Sequence, residues 1–246
     1  MHRYEEILAW LGRSYLFEGI DAAELGALAS LATTRSLGRD ECLFRTGDPA
    51  NELYVVGAGE IVDRFVDVDG REVVHFVHGP GMTFGEPGYF SVEQNRVLDA
   101  IAVRPGTVVV RLDRRALTPF IDTHGIVKDR ALEALASSTR WLGTLVVALA
   151  TRPLADRLVI RLLELADSAV DAPGEPAATP PITQSMLAAM IGVSRENVNR
   201  ALAALALDGV LRQEGGRYVL VDEARLRREV GQAMPIVGRR DRRSAP

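Results

Sequence analysis

A glutamate and an arginine ten residues apart are the side chains best suited to chemistry in the first half of the chain. They lie in the stretch GEPGYFSVEQNRV, residues 85–97, where Gly85 precedes Glu86 and Arg96 comes near the end. A glycine lets the backbone approach a ligand closely, and an arginine is a permanent cation that can hold a phosphate or carboxylate with two hydrogen bonds. The spacing predicts a pocket for a small anionic ligand, either a working pocket or the relic of one.

A second set of such side chains lies in the last third of the chain, within ITQSMLAAMIGVSRENVNRALAALALDGVL, residues 182–211. Thr183 can cap the start of a short helix, Gly192 allows a tight turn, and Ser194 can cap a second helix. In that second helix the apolar residues recur at helical spacing and are expected to face the core: Val198, Ala201, Leu202 and Leu205. The pattern predicts a helix-turn-helix.

The outer face of the second helix is polar near its N-terminus, where it carries Arg195, Glu196, Asn199 and Arg200. An arginine can bind guanine O6 and N7 with two hydrogen bonds, and a glutamate can accept one from the cytosine amino group. The alternative is a solvated face, with Glu196 and Arg200 as an i,i+4 pair. The preceding short helix and the hairpin pattern LRQEGGRYVLV, typical of a wing, favour double-stranded DNA as the partner.

The distribution of charge agrees with a nucleic-acid partner. The net charge is −4, but residues 182–246 carry 11 basic and 7 acidic side chains, whereas residues 1–120 carry 12 basic and 18 acidic ones. Phosphate neutralisation supplies most of the non-specific affinity for DNA. We therefore expect the DNA-binding surface in the last third of the chain.

The elements that must position these side chains change along the chain. Residues 16–36 have apolar residues at helical spacing, with Asp21 as a cap. Residues 37–112 alternate short β-rich runs such as LYVV and TVVVRL with glycine turns, a rhythm that predicts an antiparallel barrel or jelly roll. The proline-rich segment 171–181 is expected to be a loop or linker, and residues 235–246 a disordered basic tail.

A long helix is predicted between Ile126 and Leu149. Its apolar residues are spaced alternately three and four apart, as in a coiled coil, with one polar interruption: Leu132, Leu135, Thr139, Leu142, Val146 and Leu149. A seam this narrow favours pairing with the same helix of a second copy, and so a symmetric homodimer. The alternative is an amphipathic helix that packs on its own domain.

Composition places the chain among globular proteins and excludes several kinds of site. Hydrophobic residues make up 47% and charged residues 25%, and no apolar run approaches the roughly 20 residues that cross a bilayer, so we expect a cytoplasmic protein without a membrane partner. The single cysteine, Cys42, can form neither an internal disulfide nor the ligand set of an iron–sulfur cluster. His75 and His78 should point to opposite faces of a strand, which argues against a haem or zinc site. No nucleophile elbow, metal triad or P-loop occurs, so we predict neither an enzyme nor a metal site.

With these motifs in place, the chain resembles the CRP/FNR family of bacterial transcription regulators over nearly its whole length. The resemblance is carried by LFRTGDPANELYVVGAGE, residues 43–60, and by the helix-turn-helix residues Ile182, Thr183, Gly192, Ser194, Arg195, Glu196, Val198 and Arg200. It implies an α+β fold with a cyclic-nucleotide-binding-type β jelly-roll barrel over residues 1–120. A dimerisation helix would follow over 121–150 and a winged helix-turn-helix over 151–234.

The resemblance also implies a homodimer that reads a two-fold-symmetric operator, with RNA polymerase as a further partner. By residue match, Arg195, Glu196 and Arg200 would read a TGTGA-like half-site, and Thr183 and Ser194 belong to the same DNA-binding segment. Asn199 stands where family members vary, so the base preference at that step is open. The alternative function is a small-molecule-binding module whose C-terminal domain serves protein interaction.

For the pocket, the resemblance implies that Arg96 holds a cyclic phosphate, that backbone amides near Gly85 approach its oxygens, and that Glu86 accepts from the ribose 2′-hydroxyl. Two residues depart from the family's pattern. Pro87 replaces a leucine and so removes a backbone donor, and Val97 stands where the family has a residue such as serine, whose hydroxyl helps to hold phosphate.

A further departure concerns the positions on the dimerisation helix that would meet a purine ring. Trp141, Leu142, Gly143 and Thr144 occupy them, rather than a Thr-Ser pair, and Trp141 would either stack on a base or fill the cavity. Three interpretations stay open: a sensor of cyclic AMP or another cyclic nucleotide, a sensor of a different small ligand, and a regulator that needs no effector or cofactor.

Overall fold

The protein is described by a computed structural model over residues 2–66, 72–168 and 176–231, and it divides into two compact units between Ala136 and Ser137. The predicted basic tail at residues 235–246 lies outside the described residues, as does the 171–175 part of the predicted linker. Among the described helices, none is both long and apolar enough to cross a membrane.

The first unit contains helices and short strands. In chain order they are α1 (His2–Gly12), α2 (Ala22–Leu31), β1 (Thr33–Leu37), β2 (Cys42–Phe44), β3 (Glu52–Ala58), β4 (Ile61–Val66), β5 (Glu72–His78), β6 (Thr83–Phe84), α3 (Glu86–Phe90), β7 (Asp99–Ala102), β8 (Thr107–Asp113) and α4 (Arg114–Thr123). The long helix α5 (Gly125–Thr151) follows and has residues in both units.

Two four-stranded antiparallel sheets form the predicted barrel. One has the strand order β1-β8-β3-β6 and the other the order β2-β7-β4-β5. Side chains from both sheets meet in one core: Leu37, Leu43, Phe44, Tyr54, Val56, Ile61, Phe84, Ala100, Ala102 and Val109. Two sheets with a shared apolar interior are the architecture of a jelly roll, which confirms the predicted fold of this part of the chain.

Strand β3 shows why residues 53–56, the run LYVV, are apolar at every position rather than at alternate ones. Tyr54 and Val56 face the core between the sheets, whereas Leu53 and Val55 pack with helices α1, α2 and α4 on the other face. Because successive side chains of a strand point to opposite faces, a strand covered on both sides has no solvent-facing position.

The helix predicted within residues 16–36 is α2, and its predicted cap is confirmed, because the Asp21 carboxylate accepts from the Ala23 N–H at 2.8 Å. The helical pattern ends at Leu31 rather than at residue 36. A short 3₁₀ turn, Tyr15–Phe17, lies between α1 and α2, and the chain becomes extended after Leu31, so that Thr33 starts β1. Strand β1 pairs with β8, which places the β-branched Thr33 and Thr34 in a sheet, where such side chains are favoured. Ladder hydrogen bonds to β8 thus override a local helical pattern that is short to begin with.

The second unit is helical with one hairpin. Its elements after α5 are α6 (Leu154–Ser168), α7 (Gln184–Ile191), α8 (Arg195–Leu207), β9 (Leu211–Glu214), β10 (Arg217–Leu220) and α9 (Glu223–Gly231). Strands β9 and β10 form the predicted antiparallel wing hairpin. The described end of the predicted linker is ordered: Thr179 is fully buried, and its N–H donates to the Tyr218 carbonyl at 2.9 Å. The proline-rich composition predicted a loop or linker and gave no sign that its described end packs beside β10.

Candidate effector site and nucleic-acid interface

The backbone around Arg96 is held by a neighbouring loop of the barrel. The Arg96 N–H donates to the Asp48 carbonyl at 2.8 Å, and the Arg96 carbonyl accepts from the Gly47 N–H at 2.8 Å. Two residues before Arg96, the Gln94 carbonyl accepts from the Ala50 N–H at 2.7 Å. Three backbone hydrogen bonds fix the position of Arg96, so its side chain enters the barrel from a defined point.

The side chain of Arg96 is buried, with 3% of the residue exposed. Its Nη2 donates to the Glu52 carbonyl at 2.7 Å and its Nη1 to the Gly85 carbonyl at 3.3 Å. The guanidinium lies over the Phe44 ring, 4.2 Å from the ring centre, and 5.1 Å from that of Tyr54. Carbonyl dipoles and aromatic faces both stabilise a cation without neutralising it.

Arg96 keeps its positive charge uncompensated among the described residues. No described carboxylate lies within ion-pair distance of it, and its Nε is buried without a hydrogen-bond partner there. The nearby Glu52 carboxylate accepts hydrogen bonds from the Arg111 guanidinium and from the Tyr54 hydroxyl. Burial lowers the pKa of Arg96, although the charges of Tyr54 and Glu52 oppose that shift. A buried, unneutralised guanidinium is a site for an anion.

Glu86 lies at the start of α3 and is partly buried. Burial is the main cause that raises the pKa of Glu86, while hydrogen bonds from the Thr83 side chain and from its own N–H act to lower it. Glu86 makes no ion pair with Arg96 within the described residues, so the two predicted pocket residues are separate recognition groups rather than partners of each other.

Gly85 occupies a position that only glycine fits. Its φ is +92°, and a Cβ there would lie 2.6 Å from Arg96 Nη1. We therefore predict that Gly85→Ala displaces the guanidinium and destabilises the fold by about 1–2 kcal/mol, the typical penalty of a left-handed conformation for a residue with a Cβ. Urea unfolding measures the effect. Gly79→Ala is the matched control, because a Cβ at Gly79 meets nothing within 4 Å. Equal stabilities of the two variants would contradict the prediction.

The other residues predicted for the pocket differ in their exposure and in the unit to which they belong. Val97 is 53% exposed, so its side chain points away from the barrel interior. Pro87 lies in the first turn of α3, where a missing N–H leaves no helical hydrogen bond unmade. Thr144 lies in the second unit, where its hydroxyl donates to the Arg140 carbonyl at 3.1 Å, and the Trp141 side chain is outside the described part of the chain.

A buried acid–histidine pair in the barrel was missed from the sequence. His78 Nε2 and Asp63 Oδ2 lie 2.8 Å apart, joining β5 to β4. Burial acts to lower the pKa of His78, but the charge and hydrogen bond of Asp63 and the charge of Glu86 outweigh it and raise that pKa. One signal was present: Asp63 follows Ile61 by two residues and so shares its core-facing side of β4.

The helix-turn-helix has the predicted end structures. The Thr183 hydroxyl accepts from the Met186 N–H at 3.1 Å, and the Ser194 hydroxyl accepts from the Asn197 N–H at 3.3 Å. Gly192 ends α7 in the left-handed conformation, with φ of 66°. Val198, Leu202 and Leu205 of α8 are buried, as their spacing predicts. These local features set the direction of α8 relative to α7 within the unit.

The predicted DNA-reading side chains share the exposed face of α8. Arg195, Glu196, Asn199 and Arg200 are all exposed. Hydrogen bonds from its own N–H and from Ser194 lower the pKa of Glu196, so this side chain stays an ionised acceptor. The guanidinium of Arg200 donates to Asn197 rather than forming the alternative i,i+4 ion pair with Glu196. Asn199 accepts from Gln184 at 3.2 Å, which links α8 to the first turn of α7.

Comparison with known proteins supports both parts of the chain. Residues 34–124 match the model of the cyclic nucleotide-binding domain, and residues 156–229 match that of the Crp-like helix-turn-helix domain. The chain is 30% identical over 225 residues to the CRP-like cAMP-activated global transcriptional regulator of Mycobacterium tuberculosis. The aligned region covers 91% of this chain and 98% of that protein.

Solved structures of two similar proteins have the same fold. FixK2 from Bradyrhizobium japonicum superposes with a TM-score of 0.71 at 25% identity and covers 80% of this chain and 96% of that one. The c-di-GMP responsive global regulator CLP of Xanthomonas campestris gives a TM-score of 0.66 at 25% identity, over 81% of this chain and 99% of that one.

These similarities extend over both the barrel and the helix-turn-helix, in the same order along the chain. They also agree with the α+β architecture described above. The resemblance seen in the sequence is thereby confirmed, and the chain belongs to the CRP/FNR family of DNA-binding transcription regulators.

Proposed function

We propose that the protein is a homodimer that reads a two-fold-symmetric operator with α8 and that an anionic effector, bound at Arg96, modulates this binding. The observation that carries the proposal is the exposed set Arg195, Glu196 and Arg200 on the first turns of a helix whose start is capped by Ser194. In a helix-turn-helix these are the turns that enter the major groove. Arg195 and Arg200 would read guanines, and Glu196 would accept from a cytosine amino group.

The dimer would form along α5. Several apolar side chains of the predicted seam are exposed in the single chain: Leu132 (59%), Leu142 (39%), Val146 (63%) and Leu149 (45%). An apolar stripe at coiled-coil spacing is stabilised when a second copy covers it. A symmetric dimer presents two copies of α8, which is why the operator is expected to be palindromic.

The effector is proposed to be an anion because Arg96 is buried without a carboxylate partner among the described residues. The names of two similar proteins point to cyclic nucleotides of different kinds, one cAMP-activated and one c-di-GMP responsive. The effector would act through a difference in affinity for two arrangements of the dimer. We further propose RNA polymerase as a partner of the DNA-bound dimer in the cytoplasm.

Calorimetric titration tests the effector part of the proposal. Cyclic AMP, cyclic GMP and cyclic di-GMP are titrated into the wild type, Arg96→Gln and the control Arg104→Gln, an arginine that pairs with Glu60 elsewhere on the barrel. We expect at least one ligand to bind the wild type and Arg104→Gln alike. Arg96→Gln should bind it about a hundredfold more weakly, because two charge-assisted hydrogen bonds are lost. Equal binding to Arg96→Gln, or no binding to the wild type, would refute the effector site and leave operator recognition standing.

A further inference from the structure

Stacked rings connect the Asp63–His78 pair to Arg96 inside the barrel. The His78 ring lies 5.1 Å from that of Phe84, with 30° between the planes, and Phe84 stacks on Tyr54 at 5.1 Å and 18°. Tyr54 in turn lies under the Arg96 guanidinium at 5.1 Å. A continuous series of ring contacts therefore connects the acid–histidine pair to the arginine inside the barrel.

The charge of Asp63 acts on three other titratable groups of the barrel. Its negative charge raises the pKa values of His78, Glu86 and Arg96, although burial acts against it at His78 and Arg96. Its Oδ2 is taken by His78, but its Oδ1 is buried and has no hydrogen-bond partner among the described residues. A buried carboxylate oxygen without a partner is destabilising unless a donor reaches it.

We propose that Asp63, held in place by His78, is a second recognition element of the Arg96 site and selects a cyclic purine nucleotide through an N–H or O–H donor on that ligand. The inference rests on the proposed effector site. Arg96 supplies the cation for the cyclic phosphate, the aromatic rings supply stacking surfaces, and Asp63 Oδ1 accepts one hydrogen bond. The donor is either the amino group of the base or the 2′-hydroxyl of the ribose.

The competing explanation is that the pair only fastens β4 to β5. If the pair were purely structural, its removal would lower the stability of the barrel. It would also change the affinities of all ligands by the same factor. A recognition element changes the ratio of affinities between two ligands that differ in one donor. That ratio separates the two roles, because a uniform loss of binding cancels from it.

Calorimetric titration of three ligands into the full chain measures the ratio. The ligands are cyclic AMP, its analogue purine riboside 3′,5′-cyclic phosphate, which lacks the amino group, and 2′-deoxy cyclic AMP, which lacks the hydroxyl. For the wild type we expect cyclic AMP to bind about tenfold to a hundredfold more tightly than one of the two analogues, the range for a hydrogen bond to a charged group. The analogue whose discrimination is lost in Asp63→Asn identifies the donor that faces Asp63, and a loss of binding that persists in Asp63→Asn belongs to another acceptor such as Glu86.

Two variants and one control complete the experiment. In Asp63→Asn the discrimination should fall to within about threefold, because the charge is removed while the shape is kept. His78→Phe keeps a ring against Phe84 but leaves Asp63 without its hydrogen bond, and it should lower the discrimination as well. Glu60→Gln removes a carboxylate that pairs with Arg104 and should keep the wild-type ratio. Circular dichroism and thermal melting establish that each variant is folded.

Three results would overturn the inference. They are equal binding of all three ligands by the wild type, wild-type discrimination in both Asp63→Asn and His78→Phe, and the absence of cyclic AMP binding to the wild type. Failure of the proposed effector site itself has a different signature, because Arg96→Gln would then bind cyclic AMP as the wild type does, whatever the ratio at Asp63.

Discussion

Replacing Arg195 and Arg200 together by alanine is expected to weaken binding to a palindromic TGTGA-type duplex by at least about a thousandfold. Both side chains are exposed on the first two turns of α8, and a dimer carries four of them. A bidentate arginine–guanine contact is worth about 1–3 kcal/mol, so even the lower end of that range, taken four times, amounts to about three decades of affinity. Fluorescence anisotropy at one fixed salt concentration measures the loss.

The control for this variant removes the same number of charges away from the helix-turn-helix. Arg39 and Arg115 are exposed in the first unit, and their replacement by alanine changes the net charge equally. Because exposed charges beyond a Debye length are largely screened, we expect this control to bind within about threefold of the wild type. If the Arg195 and Arg200 variant also bound within threefold, α8 would not read the operator, and a protein-interaction role of the second unit would gain support.

The second large effect is expected on α5, where Leu142→Glu combined with Val146→Glu should convert the dimer into a monomer. Both side chains are exposed in the single chain and belong to the predicted seam. In a symmetric dimer each glutamate would lie in an apolar interface near its own copy, and leaving a buried charge unpaired costs about 3–5 kcal/mol. We expect dissociation at micromolar concentration in sedimentation velocity, and with it the loss of operator binding.

Ala136→Glu is the matched control for the dimer prediction. Ala136 is exposed on the same helix, and in the heptad set by Leu135 and Leu142 it falls directly after a seam position, at the flank of the contact where coiled coils commonly carry a charged residue. Alanine and glutamate are both good helix formers, so the substitution leaves the helix intact. The Ala136 variant should stay dimeric. A dimeric Leu142 and Val146 double variant would place the interface elsewhere.

The parts of the fold that were predictable from sequence are those in which local pattern and tertiary environment agree. The caps Thr183 and Ser194 and the buried apolar positions of α8 follow from residue type and spacing alone. Helix α1 was not predicted, since its apolar residues form the unbroken run ILAWL, residues 7–11, which shows no helical period. Its position depends on packing against β3, which local sequence does not encode.

The candidate effector site was predictable only in part. The spacing of Gly85, Glu86 and Arg96 follows from the sequence, and the structure places Gly85 against the Arg96 guanidinium. What surrounds the guanidinium depends on sheet pairing across about 50 residues, which brings Phe44 and the Glu52 carbonyl to it. For the same reason the Asp63–His78 pair was missed: it depends on the register of β4 against β5.

Selection of bound duplexes from a random DNA library, followed by hydroxyl-radical footprinting of the selected sequence, tests the central claim most directly. A homodimer that reads DNA with two copies of α8 should select a palindrome with TGTGA-like half-sites. The centres of the two half-sites should be separated by one helical turn of DNA, about 10–10.5 base pairs, or by a multiple of it. The footprint should show equal protection of both half-sites. Selection of no sequence, or protection of one unrepeated half-site, would contradict the account.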